Sequence, residues 1–283
     1  MHSSIRRILA GSWMVCCMLH GGTSVADESV PPHLTLRIPS TLLSETRVVN
    51  VHVPPGYDGK AEVLYPVLYM LDGGEKEDFP HLAATLDALI EQDEIPAMLL
   101  VGIENTERRR DLTGPTDVAS DREIAPVVGG SANFRGFIEH ELMPRIRMFY
   151  RVGDETAIIG ESLAGLFVVE TLFLQPDLFD TYIALDPSLW WNAEQWWREA
   201  GTRLQGSPGI RARLLLASAG DSGASTAHLA DALCRNPVPD LHWSYAPHPE
   251  LVHANIYTRL EKEILRQAFS GQALPAVDCE GRD

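Results

Sequence analysis

Five short, uninterrupted apolar runs punctuate this chain: Val67–Leu71, Ala97–Val101, Ala157–Ile159, Tyr182–Leu185 and Leu214–Ala217. A strand with one face in water alternates apolar and polar residues, whereas a strand that is apolar throughout must be covered on both faces. Helical stretches lie between the runs, near His81–Glu91, Asn133–Phe149, Leu163–Leu174, Ala193–Ala200, Thr226–Cys234 and Ala254–Phe269. In the clearest of them Phe134, Phe137, Ile138, Leu142, Ile146 and Phe149 form one stripe, with Ser131 near the start as a cap. This alternation predicts the α/β class, with a mostly parallel central sheet and helices on both faces. Leu34–Ile38 and Arg47–Val53 alternate with a period of two and read as an antiparallel opening pair, ended by Pro54-Pro55-Gly56. His242–Tyr245 reads as the last strand. Glu104–Gly130 has no strong periodicity and reads as a long loop of the kind that carries function.

The N-terminus has a different character. Arg6 and Arg7 give a basic start, Ile8–Leu19 is mostly apolar, and Ser24-Val25-Ala26 places small residues where a signal peptidase reads. The expectation is a signal peptide over residues 1–26, cleaved after Ala26. Residues 27–283 are then one exported domain, periplasmic or secreted, since no linker or repeat divides them. Cys16 and Cys17 lack the small residue that a lipoprotein signal places before its cysteine. Only Cys234 and Cys279 survive cleavage, and the sequence leaves open whether they pair.

The chain carries 39 acids against 23 bases, a net charge of −16. Such a balance repels nucleic acids and anionic membranes, so neither is expected as a partner. No zinc-ligand spacing, phosphate loop or dinucleotide glycine pattern occurs, so neither a metal nor a cofactor is expected.

Gly160-Glu161-Ser162-Leu163-Ala164-Gly165 stands between the Ala157–Ile159 run and the Leu163–Leu174 helix. A strand, a tight turn with Ser at its apex and a helix make a nucleophile elbow, which needs small residues around a strained serine. Ala164 stands where the usual pattern has Gly. A base and an acid should follow in chain order. His253, past the last strand, is the expected base, with His248 as competitor. Asp221, after Leu214–Ala217, is the expected acid that orients the imidazole, with Glu250 and Asp186 as alternatives. The oxyanion donors are expected at Leu163, where the helix begins, and at Gly73 and Gly74 after the Val67–Leu71 strand.

Six stretches in this order resemble the putative-esterase family of α/β-hydrolases: Tyr69–Gly73, Arg108–Thr113, Phe137–Pro144, Gly160–Phe167, Pro176–Asp180 and Pro187–Trp191. That family includes S-formylglutathione hydrolases, feruloyl esterases, mycolyltransferases and the enterobactin-type siderophore esterases, and the resemblance is strongest to the last branch. It covers roughly Glu45 to Phe269. Members usually carry Gly where Ala164 sits and often Ser where Asp186 sits. The resemblance implies the α/β-hydrolase fold, Ser162 as nucleophile, His253 as general base, and oxyanion donors near Gly73 and at Leu163. It also implies that the siderophore branch does not always use a full third acid.

Two further groups are expected near the substrate. Trp190 and Trp191 could wall an aromatic pocket or serve as structural aromatics. Arg108, Arg109 and Arg110 could bind an anionic substrate or form a solvated charge run. The expected function is hydrolysis of a small-molecule carboxylic ester through an acyl-enzyme on Ser162, with a siderophore trilactone as one substrate type. The alternatives are an acyltransferase with the same residues and a binding protein that keeps the fold.

Overall fold

A computed structural model describes residues 30–57, 62–206 and 209–280. The expected signal segment lies outside the described residues. The eight strands are β1 (Leu34–Ser40), β2 (Glu45–His52), β3 (Tyr65–Met70), β4 (Leu99–Ile103), β5 (Val152–Glu161), β6 (Thr181–Leu185), β7 (Ala212–Ala219) and β8 (Leu241–His248). They form one sheet in the order β1-β2-β4-β3-β5-β6-β7-β8. β1 and β2 pair antiparallel, and so do β2 and β4, while every other neighbouring pair is parallel. The sheet is therefore mostly parallel, in the α/β-hydrolase manner, with the antiparallel strands at one edge.

Alternate residues of the central strands feed two separate cores, as the period of a strand requires. Leu68, Met70, Leu100, Ile159, Ile183 and Leu215 pack with α1 (Phe79–Glu91) and α10 (Ile256–Phe269). Tyr69, Val101, Ile158, Tyr182, Leu214 and Leu216 pack on the other face with α4 (Ser131–Phe137), α6 (Leu163–Leu174) and α9 (Ala224–Arg235). Helix α6 is buried on all sides from Leu163 to Phe173, so it has no amphipathic stripe, and its one charged residue, Glu170, is paired with Arg135. Each large side chain buried this way contributes roughly 1.5–3 kcal/mol.

Three expectations need correction. The Asn133–Phe149 helix is not continuous: α4 passes into a π-helical turn, Ile138–Leu142, before α5 (Met143–Phe149). Pro144 lies in the first turn of α5 and has no N–H to offer the preceding turn, which widens there. Phe149 is consequently exposed and leaves the buried stripe. The Glu104–Gly130 loop contains two short helices, α2 (Arg108–Leu112) and α3 (Ala119–Ile124). The expected Ala193–Ala200 helix is split into α7 (Trp191–Arg198), with Asn192, Ala193 and Glu194 in the left-handed region, and α8 (Ala200–Gly206). No helix among the described residues is long and apolar enough to cross a membrane.

Cys234, on α9, is bonded to Cys279 in the C-terminal tail, with Cα atoms 5.5 Å apart and a sequence separation of 45. Closing that loop removes conformations from the unfolded chain and stabilises the fold by about 2–4 kcal/mol. Cys234→Ser is expected to lower the melting temperature by roughly 4–16 °C. Differential scanning calorimetry checks this, and wild-type protein melted in reductant should fall to the same temperature.

Candidate active site

The elbow takes its shape from a close approach. β5 ends at Glu161, α6 begins at Leu163, and Ser162 between them has φ 59° and ψ −121°, a conformation that costs a non-glycine residue on the order of 1–3 kcal/mol. A Cβ on Gly160 would lie 2.6 Å from the Ala164 carbonyl carbon and 2.7 Å from its Cβ. Glycine at 160 is thus obligatory, and the space it leaves receives the Ala164 methyl, which explains why Ala is tolerated there. Two backbone bonds pin the strained serine: its N–H donates to Leu185 O at 3.1 Å, and Ser188 N–H donates to Ser162 O at 2.9 Å.

Ser162 Oγ lies 3.1 Å from His253 Nε2, and His253 Nδ1 lies 2.5 Å from Asp186 Oδ2. The three side chains come from the ends of β5 and β6 and from the segment before α10. Asp186 is 2% exposed. Its other partners are the Ala219 N–H, at 3.0 Å, and the Ser222 hydroxyl. Burial would raise its pKa, but hydrogen bonds from His253, Ser222 and Ala219 outweigh it and hold the carboxyl below the usual range. The same bond from Asp186, against the opposing effect of burial and with the charge of Glu161 adding to it, raises the His253 pKa.

The expected acid was Asp221, and here the geometry differs. Its Oδ1 accepts the backbone N–H of His253 at 2.9 Å, so it holds the segment and not the ring. Glu250 and His248 bond each other, at 3.1 Å, away from Ser162. Of the three acids weighed from sequence, Asp186 alone meets the imidazole. It also shares a backbone signature with its neighbours: Asp72, Ser162 and Asp186, at or just past the ends of β3, β5 and β6, all have positive φ, at 54°, 59° and 42°. Strain of this kind gathers at functional edges.

The oxyanion donors need correction as well. Gly73 N–H donates to Ile103 O at 2.9 Å, where the chain leaving β3 runs beside the end of β4. Gly74 N–H donates to Glu77 Oε2 at 2.7 Å. Both are engaged. The N–H of Leu163 opens α6, where helix geometry gives it no partner in its own helix, and it follows directly on Ser162.

The arginines are held by protein partners. Arg108 grips Asp72 with two bonds, Nε to Oδ1 at 2.6 Å and Nη2 to Oδ2 at 2.8 Å. Arg109 Nη1 donates to Ile124 O at 2.6 Å. Arg110 bonds Asp111 and Glu45, at 2.7 Å each. Arg47, buried to 1%, joins the same carboxylates and stacks on Phe134, fastening α2 to β2. Of the tryptophans, Trp191 is buried at 1% exposure, while Trp190 is 42% exposed. Trp190 stands two residues after Ser188, whose Oγ is 3.3 Å from Ser162 Oγ, and of the two tryptophans only Trp190 has an exposed face.

The site is open: the His253 side chain is 41% exposed. A cavity of about 680 Å³ lies elsewhere, between the starts of β7 and β8 and the C-terminal tail. Among the described residues no group of three or more His, Cys, Asp or Glu side chains is placed to hold a metal ion.

The model of the family described as "Putative esterase" matches residues 40–246, and the chain belongs to that family. The match stops short of His253, whose place rests on geometry. The chain is 33% identical over 187 residues to the ferri-bacillibactin esterase BesA of Bacillus subtilis, covering 61% of this chain and 64% of that protein. It is 36% identical over 109 residues to the siderophore enterobactin esterase of Emericella nidulans, covering 35% and 36%. The chain thus spans less than two thirds of either relative. Among solved structures, an IroE-like serine hydrolase from Shewanella oneidensis superposes with a TM-score of 0.73 at 28% identity, covering 83% of this chain and 79% of that one.

Asp186→Asn is expected to lower kcat/KM for an ester by about 10²–10⁴-fold, through loss of the imidazole's orientation. Asp221→Asn, whose carboxylate meets the His253 backbone N–H and the Ser222 hydroxyl but not the imidazole, should cost less than about tenfold. The base acts as neutral imidazole, so wild-type kcat/KM rises as pH passes upward through the raised His253 pKa. Removing the Asp186 charge should move that limb to lower pH. Rate–pH profiles of both variants check the assignment.

Proposed function

We propose that this protein is a serine esterase that hydrolyses small-molecule carboxylic esters, with lactone or ester siderophores as the natural class. The observation that carries this reading is the chain of contacts from Ser162 Oγ to His253 Nε2 and from His253 Nδ1 to Asp186, placed on a strained elbow. His253 removes the Ser162 proton as Oγ attacks the ester carbonyl. Asp186 stabilises the imidazolium, and the Leu163 N–H receives the developing oxyanion at the start of α6. The imidazolium then returns its proton to the leaving alkoxide. Water activated by the same His cleaves the acyl-enzyme, releasing the acid and free Ser162. The siderophore part of the reading is supported by the similarity to a ferri-bacillibactin esterase and an enterobactin esterase, and by a site open to solvent at His253.

Export is part of the proposal. It is supported by the signal-like residues 1–26 and by the paired Cys234 and Cys279, since such pairs persist in oxidising compartments.

A fluorophosphonate probe is expected to add its mass to the peptide containing Ser162, and Ser162→Ala is expected to lose labelling together with essentially all ester turnover. Intact-protein and peptide mass spectrometry reads the first outcome. Labelling that persists in Ser162→Ala would remove the assignment.

A further inference from the structure

Glu161 immediately precedes the nucleophile and closes β5. The other acids around it are bound to cations or to a histidine. Asp72 is held by Arg108, and Asp186 by His253. Asp78 and Glu261 both bond His81, at its Nε2 and Nδ1. Burial lowers the His81 pKa, yet the bonds to those two acids bring it to about 9, so the imidazole carries a counter-charge at neutral pH. Glu161 has no such partner: its carboxylate is half-buried and makes no hydrogen bond among the described residues.

Two further observations bear on the charge at this spot. The hydroxyl of Tyr257, on α10, is buried without a hydrogen-bond partner and lies within electrostatic reach of Asp78, Glu261, Asp72 and Glu161. The cations that could have offset the acids are consumed, Arg108 by Asp72 and Arg110 by Glu45 and Asp111. The edge therefore presents a surplus negative charge one residue from the reacting oxygen.

We propose that Glu161 sets the charge preference of the site, favouring esters that carry a cationic group near the scissile carbonyl and disfavouring those that carry an anion there. The inference rests on Ser162 being the nucleophile, and it reverses the anion preference that the Arg108–Arg110 run suggested. The groups facing Glu161 are Asp72 and Asp78 after β3, Arg108 on α2, Asp186 after β6, His253 before α10 and Tyr257 on α10. Burial first, and then the charges of Asp78, Asp186 and Asp72, push the Glu161 pKa up to about 7, against the pull of His253. Its charge, and with it the preference, then grows as pH rises through neutrality.

The test uses three matched aryl esters bearing trimethylammonium, tert-butyl or sulfonate, whose charges do not change with pH. In wild type at pH about 8 the trimethylammonium ester should exceed its tert-butyl isostere in kcat/KM on the order of tenfold, and the sulfonate should fall below it. In Glu161→Gln the cation-to-neutral ratio should fall to within about threefold of one, and added salt should compress the wild-type ratio. His253 titration enters all three substrates equally and cancels in the ratio. If Glu161→Gln does not fold, the wild-type ratio between about pH 5.5 and 8.5 decides, because it should climb through about 7. A ratio that is flat with pH, or unchanged by Glu161→Gln while Ser162 takes the fluorophosphonate label, overturns the charge selection alone. Failure to hydrolyse any of the three, with no label on Ser162, overturns the esterase reading and this inference together.

Discussion

A methyl group packed against a missing methyl governs this molecule. Ala164 on the first turn of α6 fits against Gly160 at the end of β5, and that approach leaves Ser162 no room for an ordinary backbone conformation. The helix behind it is buried on every side, so it cannot shift to relax the turn. Bonds from Ser162 N–H to β6, and from Ser188 N–H back to Ser162, carry the constraint sideways to the loop that holds Asp186. Nucleophile and acid are in this way parts of one rigid unit, assembled from the ends of adjacent parallel strands.

Charge is arranged with similar economy. Most of the arginines near the site serve the fold. Arg47 and Arg110 join Glu45 and Asp111 into a knot, buried at Arg47 and Asp111, that anchors α2, and Arg108 braces Asp72 at the end of β3. Arg135 and Glu170 form a second buried pair, at 3.0 Å, between α4 and α6. Removing one partner from such a pair leaves an uncompensated buried charge, which is costlier than never having had the pair. Arg108, Arg110 and Asp111 tie the long segment between β4 and α4 to Asp72, Glu45 and Arg47, partners distant in sequence that leave no hydrophobic rhythm in the segment.

Much of the architecture was legible because buried strands leave a simple trace. Each continuous apolar run lies within or overlaps a strand, and the alternating opening pair is antiparallel. The serine turn could be read because strand, Ser and helix adjoin in sequence. The acid could not be singled out, since its role depends on which strand end lies beside which. Asp186 and Asp221 both follow strands, β6 and β7, and only the three-dimensional turn after each tells which carboxylate meets the imidazole. The left-handed backbone of Asp186 would have been the signal, but sequence does not display φ. The arginine run misled for a related reason: three adjacent charges look like a surface patch until their partners, distant in sequence, are known. Gly73 and Gly74 were well placed, yet backbone and carboxylate acceptors claim both N–H groups.

The histidine is held differently from the serine and the acid. Its segment lies on the surface and is pinned to the β7 turn at two points, Gly220 N–H to Leu251 O at 2.9 Å and Asp221 to His253 N–H. A side chain at 220 would strike Pro249 O at 2.4 Å, so the segment can lie close only because that residue is glycine. Releasing these few exposed bonds separates base from nucleophile while both hydrophobic cores stay intact. Local openings of this type need far less free energy than global unfolding. The base can therefore leave the nucleophile without either core melting, so catalysis depends on one short surface segment that the fold itself does not need.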